Sequence, residues 1–543
     1  MTVASGDQPS APLSRSGGLL LAAAIVGFGF IGSRLLGVLR TVAIAHEFGS
    51  SPELGAYNVA FRVPDLIFQV LAGATLGSAF IPVFARLYRR DGDAAAWRLA
   101  STMINIVTAG TAVLCVLGFI LAPFLVPLLA PGLGDDVGRS QELTDEAVRL
   151  TRIMLLSPLL FSISGMLTGI LNARQRFLLP ALAPMLYNLA IIAGALVLAR
   201  PWGITGLALG VVVGAGLHLA IQLPGLFRER MRYTPSFDWA DRAVLEVARL
   251  MGPRVIGLAA AQLNFFVATY FASRIGTAEI SDLNYAWLLA QLPLAIFGMA
   301  ISTAVFPRLA DQAAGDELRD LTVTLARAFR IIMFLTIPAA IGVALLRVPL
   351  TTVLLERGEF SRVDTLVTAA ALGWYALGIV PQAGIEIHSR GFYAIGDTRT
   401  PVALAVGAVG LNLGLSAWLY ADYGISGLAF SLSVASWFEW LMLYFAYTVR
   451  THAPAAADIR AAAVFSVCGA LMGLVLAVAF SPMDGDGMAA SAVVAFAGCA
   501  AGALVYAAFA SIAGVPELTE SLVRLRSIIE RRRPRVSARE SAP

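Results

Sequence analysis

About fourteen times along its length the chain runs through an apolar stretch long enough to cross a bilayer, for which roughly 20 residues of helix suffice. The stretches fall near 19–45, 56–84, 99–129, 147–171, 178–199, 203–226, 246–273, 280–306, 325–355, 364–392, 402–420, 424–448, 460–481 and 487–512 of 543 residues. Only 14% of residues are charged and 58% are hydrophobic, against about 25% charged in soluble domains. Such a chain cannot clothe itself in polar surface, so the bilayer must be its solvent. The expected class is an all-α polytopic membrane protein. The formal net charge is +4 and every basic side chain is Arg. So small a balance puts charge in loops and does not suit a nucleic-acid partner.

Arg-rich connections belong on the cytoplasmic side. Arg86, Arg89, Arg90 and Arg98 follow the second stretch, Arg174 and Arg176 the fourth, and Arg228, Arg230 and Arg232 the sixth. Arg308 and Arg319, then Arg399, then Arg450 and Arg460 continue the series. The intervening connections are poorer in Arg and often acidic, as in Asp135, Asp136, Glu142, Asp145 and Glu146; the ninth, with Arg357 and Arg362, fits least well. The alternation predicts an even number of spans with both termini cytoplasmic. It divides the chain into a disordered tail over 1–16, six spans over 17–228, six over 229–450, a helix pair over 451–513 and a basic tail over 514–543. Cys115, Cys468 and Cys499 lie far apart in apolar runs, a spacing that fits neither a disulfide framework nor a zinc site.

The chain repeats itself. Ser78-Ala79-Phe80-Ile81-Pro82 in the second stretch recurs as Thr303-Ala304-Val305-Phe306-Pro307 in the eighth, and Tyr57 has a near counterpart in Tyr285. Ala173-Arg174-Gln175-Arg176 leads to Pro180 as Asp397-Thr398-Arg399 leads to Pro401. The offset is the length of six spans, an even number, so the two halves share one membrane orientation and are expected to be related by an axis along the membrane normal, with substrate between them.

Charges occur where apolar helices should be. Ser33 to Leu87 carries Arg34, Arg40, Arg62 and Asp65. A charge at membrane depth costs at least a few kcal/mol and usually faces protein or a wet cavity. The guanidinium fork suits phosphate or carboxylate. Arg34 sits mid-span. Arg40 lies about 9 Å further along the axis, where snorkelling toward the interface competes with a cavity role. Gly37 between them can admit a headgroup or a neighbouring helix. Arg62 and Asp65 are spaced to pair on one helix face, and Pro64 between them frees backbone groups at a candidate gate. Arg254 can add positive charge from the seventh stretch. Glu386, His388 and Arg390 cluster in the tenth; Glu386 can bind a coupling cation, Na⁺ or H⁺, or pair with a neighbouring Arg, and His388 titrates near neutrality if it meets water. Pro381 and Gly384 are candidate irregularities just before them. Asn188 and Asn412 read as interhelical hydrogen-bonding residues. His46 and His218 have no partners at metal spacing, and no P-loop, nucleophile elbow or zincin motif is present. Neither an enzyme nor a resident cofactor is expected.

SRLLGVLRTVAIAHEFG, AYNVAFRVPDLI, SAFIPVFARL, ILNARQRFLLPALAPMLYNL and RGFYAIGDTRTPV together resemble the MurJ (MviN-type) lipid II flippases of the superfamily that includes multidrug exporters and polysaccharide flippases. The resemblance implies fourteen spans in two six-helix lobes plus two C-terminal helices that form a groove for a lipid tail. It implies a cationic central cavity and translocation of a lipid-linked peptidoglycan precursor across the cell membrane by alternating access. Membrane lipids and cell-wall synthesis proteins are the partners it suggests. Arg34 and Arg40 match arginines that the family needs, Arg62 falls where the family has a basic residue, and Pro64 matches its proline. The sequence departs at Gly55, where many relatives are acidic, at Phe68 and Gln69, where many have a basic pair, and at Trp287 and Leu288. These departures make the expected cavity less cationic. They leave open a different polyprenyl-pyrophosphate glycan, an ion-coupled drug exporter, or a scaffold that transports nothing.

Overall fold

A computed structural model of the chain describes residues 15–72, 74–315, 317–452, 456–480 and 487–519, and among these not the side chains of 15–24, 26, 71–78, 253–254 and 256–261. Residues 1–14 of the expected disordered tail and most of the basic tail over 514–543 lie outside the described residues; Arg15 and Ser16, expected in that tail, begin the first helix. What is described is helical throughout. Eleven described helices are long and apolar enough to cross a membrane, so the chain is a multi-pass membrane protein.

The chain divides into two compact units, the first running to Gln262 with Gly276–Ala278 added, the second made of Leu263–Ile275 and the described residues from Glu279 onward. The first begins with α1 (Arg15–Phe48) and α2 (Pro52–Ile67). Ser51 caps α2 by accepting the Leu54 N–H at 3.3 Å, and Pro52 occupies the first turn, where no N–H is needed. A π-helical segment, Phe68–Ala72, leads to α3 (Ala74–Leu129). A straight helix of 56 residues would be roughly 80 Å long, far beyond one bilayer. It is broken at Gly92, whose φ of 82° takes it out of the helix. Then come α4 (Ser140–Met154), α5 (Leu156–Ala173), α6 (Leu178–Ala193), a π-helical Gly194–Leu198, α7 (Ala199–Trp202), α8 (Ile204–Ala220), α9 (Leu223–Arg228) and α10 (Arg242–Ile275). In the first unit α1 packs on α6, α2 on α4, α3 on α5 and α6 on α8.

One end of this unit is tied by the Arg-rich connections. Arg174, whose side chain is only 9% exposed, bridges to Asp93 and reaches Glu229 at 3.9 Å, with its guanidinium 3.8 Å above the Tyr88 ring. Arg176 pairs with Glu229 at 2.7 Å and Arg86 with Glu246. At the other end Arg139 bridges Glu53 at 2.7 Å and Glu142 at 2.6 Å, while Thr277 donates to Asp136 and accepts the Gly134 N–H. Gly55 packs there too. A Cβ at that position would stand 2.4 Å from the Thr277 carbonyl oxygen. The departure at Gly55 thus answers to backbone packing, which leaves no room for an acidic side chain.

The second unit contains the Leu263–Ile275 end of α10, α11 (Thr277–Pro293) from Glu279, a π-helical Leu294–Met299, α12 (Ala300–Ala314), α13 (Leu318–Leu345), α14 (Arg347–Leu355), α15 (Arg362–Ala394), α16 (Arg399–Thr451), α17 (Ala456–Phe480) and α18 (Met488–Ile512). Helix α16, of 53 residues, is broken at Gly424, φ 56°. Ser361 and Asp364 form a capping box at the start of α15. α15 packs on α16 and α13; α17 packs on α13 and α18, and α18 on α14. Phe329, Trp440, Tyr447, Phe465 and Tyr506 lie in one core.

Each unit carries a proline followed by a π-helical turn. Pro64 precedes Phe68–Ala72, and Pro293 precedes Leu294–Met299. Both lie just upstream of the repeated FxP and VFP elements, so the internal repeat extends to the same backbone irregularity. Proline removes a hydrogen-bond donor, and a π-turn re-registers the ladder around the gap.

Close helix approach in α6–α8 depends on glycine. A Cβ at Gly210 would lie 2.9 Å from the Gly194 Cα and 3.1 Å from the Ala190 carbonyl oxygen, the small-residue contact that holds membrane helices together. Gly210→Leu is expected to destabilise the purified chain in detergent by about 1–3 kcal/mol, the usual cost of overpacking. Thermal melting checks this, and an unchanged curve contradicts the contact.

Candidate functional site

α1 presents Arg34, Gly37 and Arg40 along one helix. Arg34 is exposed, with its guanidinium 5.3 Å from the centre of the Phe30 ring. A Cβ added at Gly37 would meet nothing within 4 Å. No described residue packs against Gly37, so the helix contact considered for it is not seen there. Arg40 is half-buried and makes no ion pair among the described residues. Its charge acts on the hydroxyls of Tyr57, on α2, and Tyr187, on α6. Asn188, next to Tyr187, donates to the Ser33 carbonyl at 3.4 Å and so ties α6 to α1.

α2 contributes the neighbouring charges. Asp65 accepts from Gln69 Nε2 at 3.1 Å and from Gln262 Nε2 at 3.4 Å, and the half-buried Arg62 acts on the same carboxylate as a charge. Tyr187 lies within electrostatic reach of both Asp65 and Arg40. Tyr187 thus links Arg40 on α1 to Asp65 on α2, and Asp65 in turn feels Arg62; no described contact joins Arg34 to them. Tyr57, Tyr187 and Gln262 were not singled out for this group from sequence. Gln69 is now accounted for as the i+4 partner of Asp65. Phe68 packs on Phe161 at 4.9 Å between centroids, and Phe161 lies edge-on to Tyr187 and to His218. An aromatic contact stands where many relatives carry a cation.

The side chain of Arg254 lies outside the described residues. In the second unit Glu386 and Arg390 form an i,i+4 pair at 3.4 Å, the structural alternative considered for them. His388 is 1% exposed and does not meet water: Nδ1 lies 2.8 Å from the Gly384 carbonyl oxygen, and the ring packs against Phe329, Tyr444 and Tyr447. Pro381 and Gly384 do not interrupt α15; at Gly384 a Cβ would fall 2.3 Å from Trp440 Nε1, so this glycine admits an indole. Trp287 lies edge-on to Phe265 and Tyr375. Asn412 donates to Asn264 Oδ1 at 2.9 Å, an interhelical bond as expected. Among the described residues no group of His, Cys, Asp and Glu is arranged to hold a metal ion.

A multi-pass all-helical chain with prolines, π-turns and guanidinium groups in its first spans has the character of a membrane transporter. The fold is shared with a multidrug resistance MATE family transporter of the MOP superfamily in its inward-facing conformation, at TM-score 0.65 and 17% identity over 78% of this chain and 95% of that one. A solved lipid II flippase MurJ in an inward closed conformation matches at TM-score 0.76 and 26% identity, over 90% of this chain and 98% of that one. The lipid II flippase MurJ of Burkholderia cenocepacia is 32% identical over 419 residues, 76% of this chain and 80% of that protein. The family described as lipid II flippase MurJ matches residues 44–497. The chain belongs to the lipid II flippase MurJ family.

The block RGFYAIGDTRTPV centres on Asp397, in the turn between α15 and α16. It accepts from the Thr400 hydroxyl at 2.6 Å and from the N–H groups of Arg399 and Thr400, and it pairs with Arg450. Burial works to raise this carboxyl, but the Thr400 bonds, the Arg450 charge and the Arg399 N–H outweigh it and hold it below the ordinary carboxylate range. A depressed folded-state value contributes stability that is present above the ordinary value of about 4 and is lost as pH falls through the folded value. The parent chain is therefore expected to melt higher than Asp397→Asn at pH 7. The gap should shrink only below about pH 4; a gap that is constant into strong acid contradicts the assignment.

Proposed function

We infer that this chain is a lipid II flippase of the bacterial inner membrane, carrying a lipid-linked peptidoglycan precursor from the inner to the outer leaflet, with both termini in the cytoplasm. Family membership supports the substrate class, and one observation supports the site. Arg40 is half-buried on a membrane helix, faces two tyrosines and makes no ion pair among the described residues. A guanidinium in such surroundings is under-compensated until an anion arrives. A pyrophosphate fits, because the planar fork donates in pairs to phosphate oxygens.

Arg40 and Arg62 hold the pyrophosphate, Asp65 balances Arg62 when the headgroup has left, and Arg34, exposed one and a half turns away, meets the headgroup on entry. Duplicated six-span halves suit alternating access. The membrane potential or a cation gradient supplies the bias, at about 2.3 kcal/mol per charge per 100 mV.

In proteoliposomes, Arg40→Ala and Arg62→Ala are each expected to slow translocation of a polyprenyl-pyrophosphate-linked glycopeptide about ten- to hundredfold, since a charge-assisted hydrogen bond is worth about 1.5–3 kcal/mol. Arg40→Lys, which keeps the charge and loses the fork, should fall between. In a flippase-depleted cell the parent chain should restore growth. If the Arg40→Ala, Arg62→Ala double variant rescues as well as the parent, the site assignment fails.

A further inference from the structure

The first unit has a second place suited to a phosphate, away from the group around Arg40. A groove of about 770 Å³ opens between the C-terminal half of α3 and α4. Phe119, Pro123 and Pro127 line one side, and Gln141, Asp145, Arg149 and Arg152 the other. The four polar residues recur at intervals of four, four and three, which sets them on one face of α4.

The two arginines are differently engaged. Arg152 donates from Nε to the Phe119 carbonyl at 3.2 Å, with its guanidinium 4.9 Å over the Phe119 ring. Its two terminal nitrogens make no hydrogen bond among the described residues. Arg149 donates to Glu146 at 3.0 Å and to the Thr205 hydroxyl at 3.0 Å, and stays largely exposed. Asp145 is exposed and, among the described residues, accepts only from Gln141, at 3.1 Å. Glu146 is already answered by Arg149.

The order of these groups carries the inference. α4 begins at the acidic connection that the loop charges put on the outer face. Descending from that end, the groove offers a carboxylate at Asp145, a guanidinium about 6 Å deeper at Arg149 and another about 10 Å deeper at Arg152. Below them α3 shows an apolar face to the lipid: Val113, Val116, Phe119 and Ile120 are all about half or more exposed. An outer-leaflet phospholipid with an amine in its headgroup has this order from water to hydrocarbon: ammonium, phosphodiester, acyl chains. We propose that the groove is a structural-lipid site for such a phospholipid, its ammonium on Asp145, its phosphodiester on Arg149 and Arg152, and its acyl chains along Val116 and Ile120. A purely anionic headgroup would set its charge against Asp145, and a quaternary amine has no N–H to donate to it.

The test is native mass spectrometry of the delipidated full chain mixed with equal amounts of phosphatidylethanolamine, phosphatidylglycerol and phosphatidylcholine. The parent should retain the ethanolamine lipid preferentially. Arg149→Gln with Arg152→Gln should cut that retention about tenfold, the loss of one charge-assisted bond being enough for that factor. Asp145→Asn, which alters only an exposed group, should abolish the preference over phosphatidylglycerol and carries the test alone if the double variant does not fold. Equal retention of all three lipids by the parent, a preference for phosphatidylglycerol, or a preference untouched by Asp145→Asn overturns the proposal. So does a co-purified polyprenyl-pyrophosphate that the double variant loses, for the groove would then belong to the transported substrate.

Discussion

Removing a guanidinium from water without a counter-charge is the cost around which this chain is arranged. At the helix ends that cost is met within the protein. Arg174 has Asp93, Glu229 and the Tyr88 ring; Arg139 has Glu53 and Glu142; Arg362 has Glu356; Arg450 has Asp397. Arg40 breaks the pattern. It lies within α1, half-buried, with its charge acting on two tyrosines, and makes no ion pair among the described residues. Surface ion pairs of the first kind add little stability individually, but they fix the connections that hold the spans in register. An uncompensated cation inside a span adds none, and its retention is understandable if the missing charge is brought by a ligand.

Backbone irregularity lies beside this chemistry. Pro64 stands between Arg62 and Asp65, and the π-turn that follows supplies Gln69, one of the amides on Asp65. The second unit repeats the proline and the π-turn at Pro293 and Leu294–Met299, and there Trp287 on α11 packs edge-on against Phe265 of α10 and Tyr375 of α15. The same backbone irregularity thus recurs in both units. Such turns are tolerated at membrane depth where side chains re-satisfy the freed groups.

Helical class and a multi-pass architecture were readable from apolar run length alone, because the hydrocarbon thickness fixes how long such a run must be; against fourteen stretches read from sequence, eleven described helices are long and apolar enough to cross. The helical stretches on either side of Gly92, and those on either side of Gly424, run on as one helix interrupted only at the glycine, so the polar residues that separated them in sequence mark no long loop. The charged candidates were legible too, since any Arg in an apolar run stands out. Their partners were less so. Nothing in the sequence marks Tyr187 or Gln262 as neighbours of Arg40 or Asp65, because those contacts join residues distant along the chain. The apparent departures at Gly55 and Phe68 read as lost charge; in the structure they are packing positions, one against the Thr277 backbone and one against Phe161. His388 read as a proton site and proves to be enclosed by rings, because its spacing gave its helix face but not what covers that face.

The most direct test is whether the Arg40 group holds a pyrophosphate at all. Native mass spectrometry of the full chain, purified in mild detergent from a peptidoglycan-making cell, should show a co-purified polyprenyl-pyrophosphate lipid that disappears with Arg40→Ala and survives Arg40→Lys in reduced amount. A lipid retained equally by the Arg40→Ala chain, or retained equally as an uncharged polyprenol, would contradict the account.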